Sequence, residues 1–113
     1  MTVDVIILNR NLKAVTDQLA KHLAKLNGIG GVYVADSGST DAEISSRTIA
    51  REDSEFARIN GLRINRGFNL GLLEWLKLDN SSEWVLLLPN DAELVSANLN
   101  ELLELVEGTS DIA

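Results

Sequence analysis

The run Trp84-Val85-Leu86-Leu87-Leu88, stopped by Pro89-Asn90-Asp91-Ala92-Glu93, constrains this chain more than any other stretch. Val85 to Leu88 are all aliphatic, with no polar alternation, so a strand built from them has no wet face and is expected to be covered on both sides. Burying each such side chain stabilises by about 1.5 to 3 kcal/mol before entropy is subtracted, which predicts a central strand. Pro89 has no N–H for a sheet ladder and marks where pairing ends. Asp91 and Glu93 then fall just past the carboxyl end of a buried strand, the edge at which open α/β sheets bind ligands.

Upstream, apolar strands alternate with helical patterns. Val3 to Leu8 reads as a strand interrupted only by Asp4 and closed by Asn9-Arg10-Asn11. Leu12, Val15, Leu19, Leu23 and Leu26 recur at helical spacing, and Asn27-Gly28 ends that helix. Gly30-Gly31 leads into a second strand, Val32 to Ala35, followed by the dense polar turn Asp36-Ser37-Gly38-Ser39-Thr40-Asp41. Thr40 and Glu43 have the spacing of a capping box, which predicts a helix and then a loop through residues 42–57. Leu62 to Asn65 reads as the third strand, and Arg66 to Gly71 opens a helix carrying Leu72, Leu73 and Leu76. Trp84 to Leu88 is the fourth strand, and Val95, Leu99, Leu102, Leu103 and Val106 mark a last amphipathic helix. This alternation without tandem hairpins predicts one α/β domain over residues 1–113, a three-layer α/β/α Rossmann-like parallel sheet.

Composition limits what such a domain binds. The 113 residues are 45% hydrophobic, enough for a true core and unlike a disordered chain. With 10 basic against 17 acidic residues the net charge is -7, which disfavours nucleic acid and anionic membranes and means that any bound phosphate needs local compensation. The absence of cysteine excludes disulfides and thiolate chemistry. The sequence shows no signal peptide and no transmembrane segment, so the cytosol is the expected location. His22, the single histidine, lies in the first helical pattern and reads as a surface or boundary residue.

Polar clusters follow three of the four predicted strands, at Asn9-Arg10-Asn11, Asp36 to Asp41 and Asn90 to Glu93; a parallel sheet brings them to one edge with Arg66-Gly67. In order, Val3 to Asn9, Val34 to Asp41, Asn65 to Gly71 and Leu86 to Leu94 resemble the ordered motifs of family 2 glycosyltransferases with the GT-A fold. The strongest match is Asp36 to Asp41, similar to the family's aspartate-x-glycine-serine-threonine-aspartate turn. The resemblance covers nearly the whole chain but only the first half of the family's catalytic domain. It implies a truncated nucleotide-diphospho-sugar transferase fold with strand order 3-2-1-4, a sugar donor of UDP or dTDP type, and a catalytic base and acceptor site supplied by a second half.

The resemblance also implies roles. Asn9 would contact the nucleotide and Asp36 would accept a hydrogen bond from the base, a suitable pairing because a carboxylate only accepts and uracil N3–H donates. Gly38 and Gly67 would let backbone approach the ligand, and Arg66 would reach the diphosphate. The family's aspartate-x-aspartate metal motif corresponds to Pro89-Asn90-Asp91, so Asp91 is the expected ligand of Mg2+ or Mn2+, Glu93 offers a further oxygen, and Pro89 stands where the first acid would be. Self-association through the face that the second half would cover is a further expectation. The alternative is a non-enzymatic α/β binding or interaction module whose acidic mouth holds a cation or a partner. A dinucleotide-binding enzyme fits poorly, because Gly28-Ile29-Gly30-Gly31 precedes a strand instead of following one.

Overall fold

A computed structural model describes residues 2–61, 64–79, 81–90, 101 and 103–105. Strands β1 (Val3–Asn9), β2 (Ile29–Ser37), β3 (Thr48–Glu52) and β4 (Trp84–Pro89) form one sheet in the order β3-β2-β1-β4. All its pairings are parallel. Helix α1 (Lys13–Leu23) joins β1 to β2, while α2 (Glu55–Asn60) and α3 (Ile64–Trp75) lie between β3 and β4. The fold is the expected α/β one, Rossmann-like with strand order 3-2-1-4.

The third strand is not where the sequence pattern puts it. Ile64 and Asn65 belong to α3, and Leu62 and Arg63 lie outside the described residues. Ile64 continues the spacing of Phe68, Leu72 and Trp75, so the helical period claims it. The strand is Thr-Ile-Ala-Arg-Glu at 48–52, at the sheet's edge, where charged residues are tolerated because one side is solvated. The segment expected as a helix and loop therefore holds a short 3₁₀ turn (Asp41–Glu43), β3 and the start of α2. At the opposite end of the described sheet β4 pairs with β1 alone, and Trp84 to Leu88 are half-buried, so the central positions belong to β1 and β2.

Strict alternation along β1 builds two cores. Val5 and Ile7 face α1 and pack with Ala20, Leu23, Val32 and Val34, flanked by Leu86 and Leu88. Ile6 faces α3 with Ala35 and Trp75, flanked by Leu8, Phe68, Leu72, Val85 and Leu87. Leu12 and Val15, expected on the core face of α1, are exposed, and Thr16, Ala20 and Leu23 are the buried residues of that helix. His22 is exposed, as expected. No helix among the described residues is long and apolar enough to cross a membrane. Residues 101 and 103–105 are helical; the other residues of the expected final helix lie outside the described residues.

The glycine pair 30–31 lies inside β2, not ahead of it. Pairing runs from Val3 opposite Ile29 to Val5 opposite Val32, so β2 carries one extra residue there, a bulge in the ladder. The bulge presents the Gly31 N–H to the Asp4 carboxylate at 2.8 Å. Asp4 is buried and also accepts from Trp75 Nε1 (2.8 Å), the Ser82 backbone N–H (3.0 Å) and the Ser82 hydroxyl (2.8 Å). One carboxylate thus fastens β1, β2, α3 and the approach to β4. Burial alone would raise its pKa, but these four bonds outweigh it and hold Asp4 below its ordinary value of 3.8.

Candidate functional site

The carboxyl ends of β1 and β2 lie side by side, with Asn9 opposite Asp36 in register. Both side chains point toward α1 and are buried, at 0% and 2% exposure. Asn9 Nδ2 donates to Asp36 Oδ1 at 3.2 Å and to the Glu43 carbonyl at 3.0 Å. Its Oδ1 accepts from Thr16 Oγ1 at 2.9 Å and from the Leu12 N–H at 3.2 Å. Asp36 Oδ2 accepts from the Ser39 N–H at 2.9 Å. A carboxylate oxygen has two acceptor directions, so each Asp36 oxygen keeps one in reserve.

The turn after β2 is pinned by its own residues. Ser39 Oγ accepts the Asn11 N–H at 2.8 Å, and Asn11 Oδ1 accepts the Thr40 N–H at 2.8 Å. Asn11 makes this exchange from φ 56, a left-handed conformation that asparagine tolerates better than most side chains. Gly38 has φ 74, and a Cβ there would collide with the Ala57 backbone in α2. Asp41 draws Arg51 (2.7 Å) and Arg58 (3.4 Å) over the outside of the turn, although at 79% exposure it adds little stability. The expected capping box does not form: Thr40 makes no side-chain cap, and the Glu43 carboxylate instead accepts the Lys13 N–H at 2.9 Å. Glu43 thereby supplies negative charge at the N-terminus of α1, whose own N-cap residue Leu12 has nothing to offer.

On the other face of the sheet a cleft of about 270 Å³ opens between the carboxyl ends of β1 and β4. The chain leaves β1 toward β2 on one side and reaches β4 on the other, so this is the point where strand order reverses, the usual ligand position in open α/β sheets. Leu8, Leu12, Phe68 and Pro89 make it apolar; Arg10, Ser37 and Asn90 are its polar groups. Asn90 also reaches across to the buried network, its Nδ2 lying 3.4 Å from Thr16 Oγ1.

Family models, curated proteins and solved structures return no match to this chain. The site is therefore described by its own geometry. That geometry brings Asn9 and Asp36 together and sets Gly38 beside them, in the turn backed by α2. Gly67 lies in α3 against the Leu8 side chain, and Arg66 is exposed in the first turn of that helix. Asp91 and Glu93 lie outside the described residues. Among the described residues no group of three or more histidine, cysteine, aspartate or glutamate side chains gathers to hold a metal, and Pro89 and Asn90 bring no carboxylate to the end of β4. Sequence reasoning gave no role to Arg10, Ser37, Phe68 or Asn90, although Ser37, Phe68 and Asn90 stand inside the motifs that carry the resemblance and Arg10 directly follows the first of them.

Proposed function

We propose that this chain is the donor-binding half of a family 2-type glycosyltransferase, holding a nucleotide-diphosphate sugar of UDP or dTDP type across the carboxyl edge of β2, β1 and β4. The observation that carries the reading is that the Asn9–Asp36 pair and the cleft share that carboxyl edge, one on each face of the sheet. Neighbouring strands are about 4.8 Å apart, so the ends of β2 and β4 are separated by about 10 Å, comparable with the reach from a pyrimidine ring to a β-phosphate. The base would use a spare acceptor direction of Asp36, which at 2% exposure requires the turn at 38–40 to shift aside. Asn9, already bonded to Asp36, would hold that carboxylate in orientation, and Arg66 would stand at the rim. A divalent ion, Mg2+ or Mn2+, bound through Asp91 and Glu93 would supply Lewis acidity to the departing diphosphate. Sugar transfer would need an acceptor and a base from a second half, and the reading places the parent enzyme in the cytosol.

Titration calorimetry with uridine diphosphate, with and without Mn2+, tests the reading. Asp36→Asn is expected to weaken binding because the amide can present a donor where the base needs an acceptor, a mismatch of about 1 to 3 kcal/mol. Asp91→Ala is expected to abolish any gain from Mn2+. Absence of uridine diphosphate binding to the folded chain would sink the proposal and favour the non-enzymatic module.

A further inference from the structure

Among the described residues that line the cleft at the β1/β4 edge Arg10 is the one cation, and it is held differently from the ion-paired cations of the chain. Lys13 pairs with Asp17, Lys77 with Glu74, and both Arg51 and Arg58 with Asp41. Arg10 is held by neutral groups: its Nη2 donates to the Arg58 carbonyl at 3.2 Å and the Ile59 carbonyl at 3.1 Å. These bonds hold the guanidinium without cancelling its charge, and Nη1 and Nε carry three further protons that bond to no acceptor among the described residues.

The seat under Arg10 is built for it. Gly61, the residue that ends α2, has φ 72, and a Cβ there would lie 2.9 Å from Arg10 Nε, 3.0 Å from Cδ and 3.1 Å from Cζ. The positive φ favours glycine, and the missing Cβ lets the arginine lie along the backbone at the end of α2, where a Cβ would push the guanidinium aside. A long side chain that would otherwise lose rotamer freedom on meeting a ligand is thus ordered beforehand. Arg10 is exposed to solvent and lines the cleft together with the apolar Leu8, Leu12, Phe68 and Pro89, so an incoming anion can reach it.

We infer that Arg10, positioned by the α2 carbonyls and Gly61, is the phosphate-binding residue of the cleft and takes the diphosphate of a nucleoside-diphosphate ligand. This rests on the proposed donor-binding function and assigns its anionic end to β1, not to the α3 rim where Arg66 stands. In a chain of net charge -7 it supplies the local compensation that a phosphate needs.

The test compares uridine diphosphate with uridine by calorimetry on the full chain, for the parent sequence, Arg10→Gln, Arg10→Lys, Arg66→Gln and Gly61→Ala, with far-UV dichroism to confirm folding. The parent is expected to bind uridine diphosphate at least about tenfold more tightly than uridine, the scale of hydrogen bonds to a charged group. Arg10→Gln should erase that ratio and leave uridine unchanged. Arg10→Lys should keep part of it, and folded Gly61→Ala should lower it by displacing the guanidinium. If Arg10→Gln keeps the full ratio, or Arg66→Gln alone removes it, the inference is wrong while the donor-binding reading stands. If the parent binds neither compound, both are overturned.

Discussion

Removing the Asp4 carboxylate is the sharpest test of how this sheet is held together. Asp4→Ala deletes the acceptor of four hydrogen bonds, and their fates differ. The Ser82 hydroxyl keeps Thr2 Oγ1 at 2.7 Å, so it is not stranded. Trp75 is 7% exposed and its indole N–H loses its partner outright, while the backbone N–H groups of Gly31 and Ser82 are partly reachable by water. Taking the upper part of the usual 1 to 3 kcal/mol range for the indole and the lower end for each backbone group gives a loss of about 4 kcal/mol. Against the roughly 5 to 15 kcal/mol that holds an ordinary domain, such a loss should bring the urea midpoint down sharply. Asp4→Asn keeps one acceptor oxygen and should lose about half as much.

The same side chain should shape the acid limb. Because the folded pKa of Asp4 lies below 3.8, the unfolded chain binds this proton first as pH falls. Its contribution is complete above 3.8 and disappears as pH drops through the lower, folded value. Urea titrations from neutral pH downward would show the parent and Asp4→Asn converging in stability below that window. Midpoints for Asp4→Ala within error of the parent at neutral pH, or parallel acid limbs, would refute the idea that this carboxylate fastens the sheet.

Other consequences are accessible to simple measurements. Gly38→Ala should destabilise by about 1 to 3 kcal/mol in urea unfolding, since the positive φ and the Ala57 backbone both oppose a Cβ. Tyr33, the single tyrosine, should ionise above its ordinary 10.0 in alkaline absorbance titration, first because its partial burial disfavours the phenolate and second because Asp4 is negative nearby; Asp4→Asn should lower its midpoint. Because its folded pKa is raised, stability from Tyr33 is complete below 10.0 and declines as pH rises through the folded value. Sedimentation at rising concentration should reveal self-association, driven by the half-buried Trp84–Leu88 strand at the end of the described sheet; a monomer at every concentration would count against it.

Where the sequence was legible, periodicity and burial agreed. Unbroken apolar runs in Val5–Leu8 and Val85–Leu88 give strands with apolar contacts on both faces, and Leu19 and Leu23 keep α1 in helical register. The third strand was hidden because Thr48–Glu52 lies on an edge, where Arg51 and Glu52 can face water and little pattern remains to read. Thr40 and Glu43 had the right spacing for a local cap, yet Glu43 serves the N-terminus of a helix thirty residues earlier in the chain. Long-range satisfaction of that kind leaves no trace in local spacing. The Asn9–Asp36 pair was foreseeable as two polar strand ends on one edge, but its inward orientation follows from which face each strand end turns toward α1. Arg10 was hidden differently: its partners are carbonyls of α2, and backbone acceptors have no sequence signature.

The extra residue at the start of β2 sets limits on how this chain can change in length. Before the bulge, β2 runs 26 positions ahead of β1 (Val3 to Ile29, 29 − 3); after it, 27 (Val5 to Val32, 32 − 5, and Asn9 to Asp36, 36 − 9). Deleting Gly30 or Gly31 would take out the extra residue, so the early spacing of 26 would run unbroken and the present Asp36 would still stand opposite Asn9. A residue lost after the bulge, between Val32 and Asp36, would instead set Asn9 opposite the present Ser37 and turn Asp36 to the other face, dismantling the pair. Homologous sequences that keep this edge should therefore hold the spacing from Val32 to Asp36 fixed, while a residue lost at the glycine pair would cost the Gly31 bond to Asp4 and leave the Asn9–Asp36 pair in place.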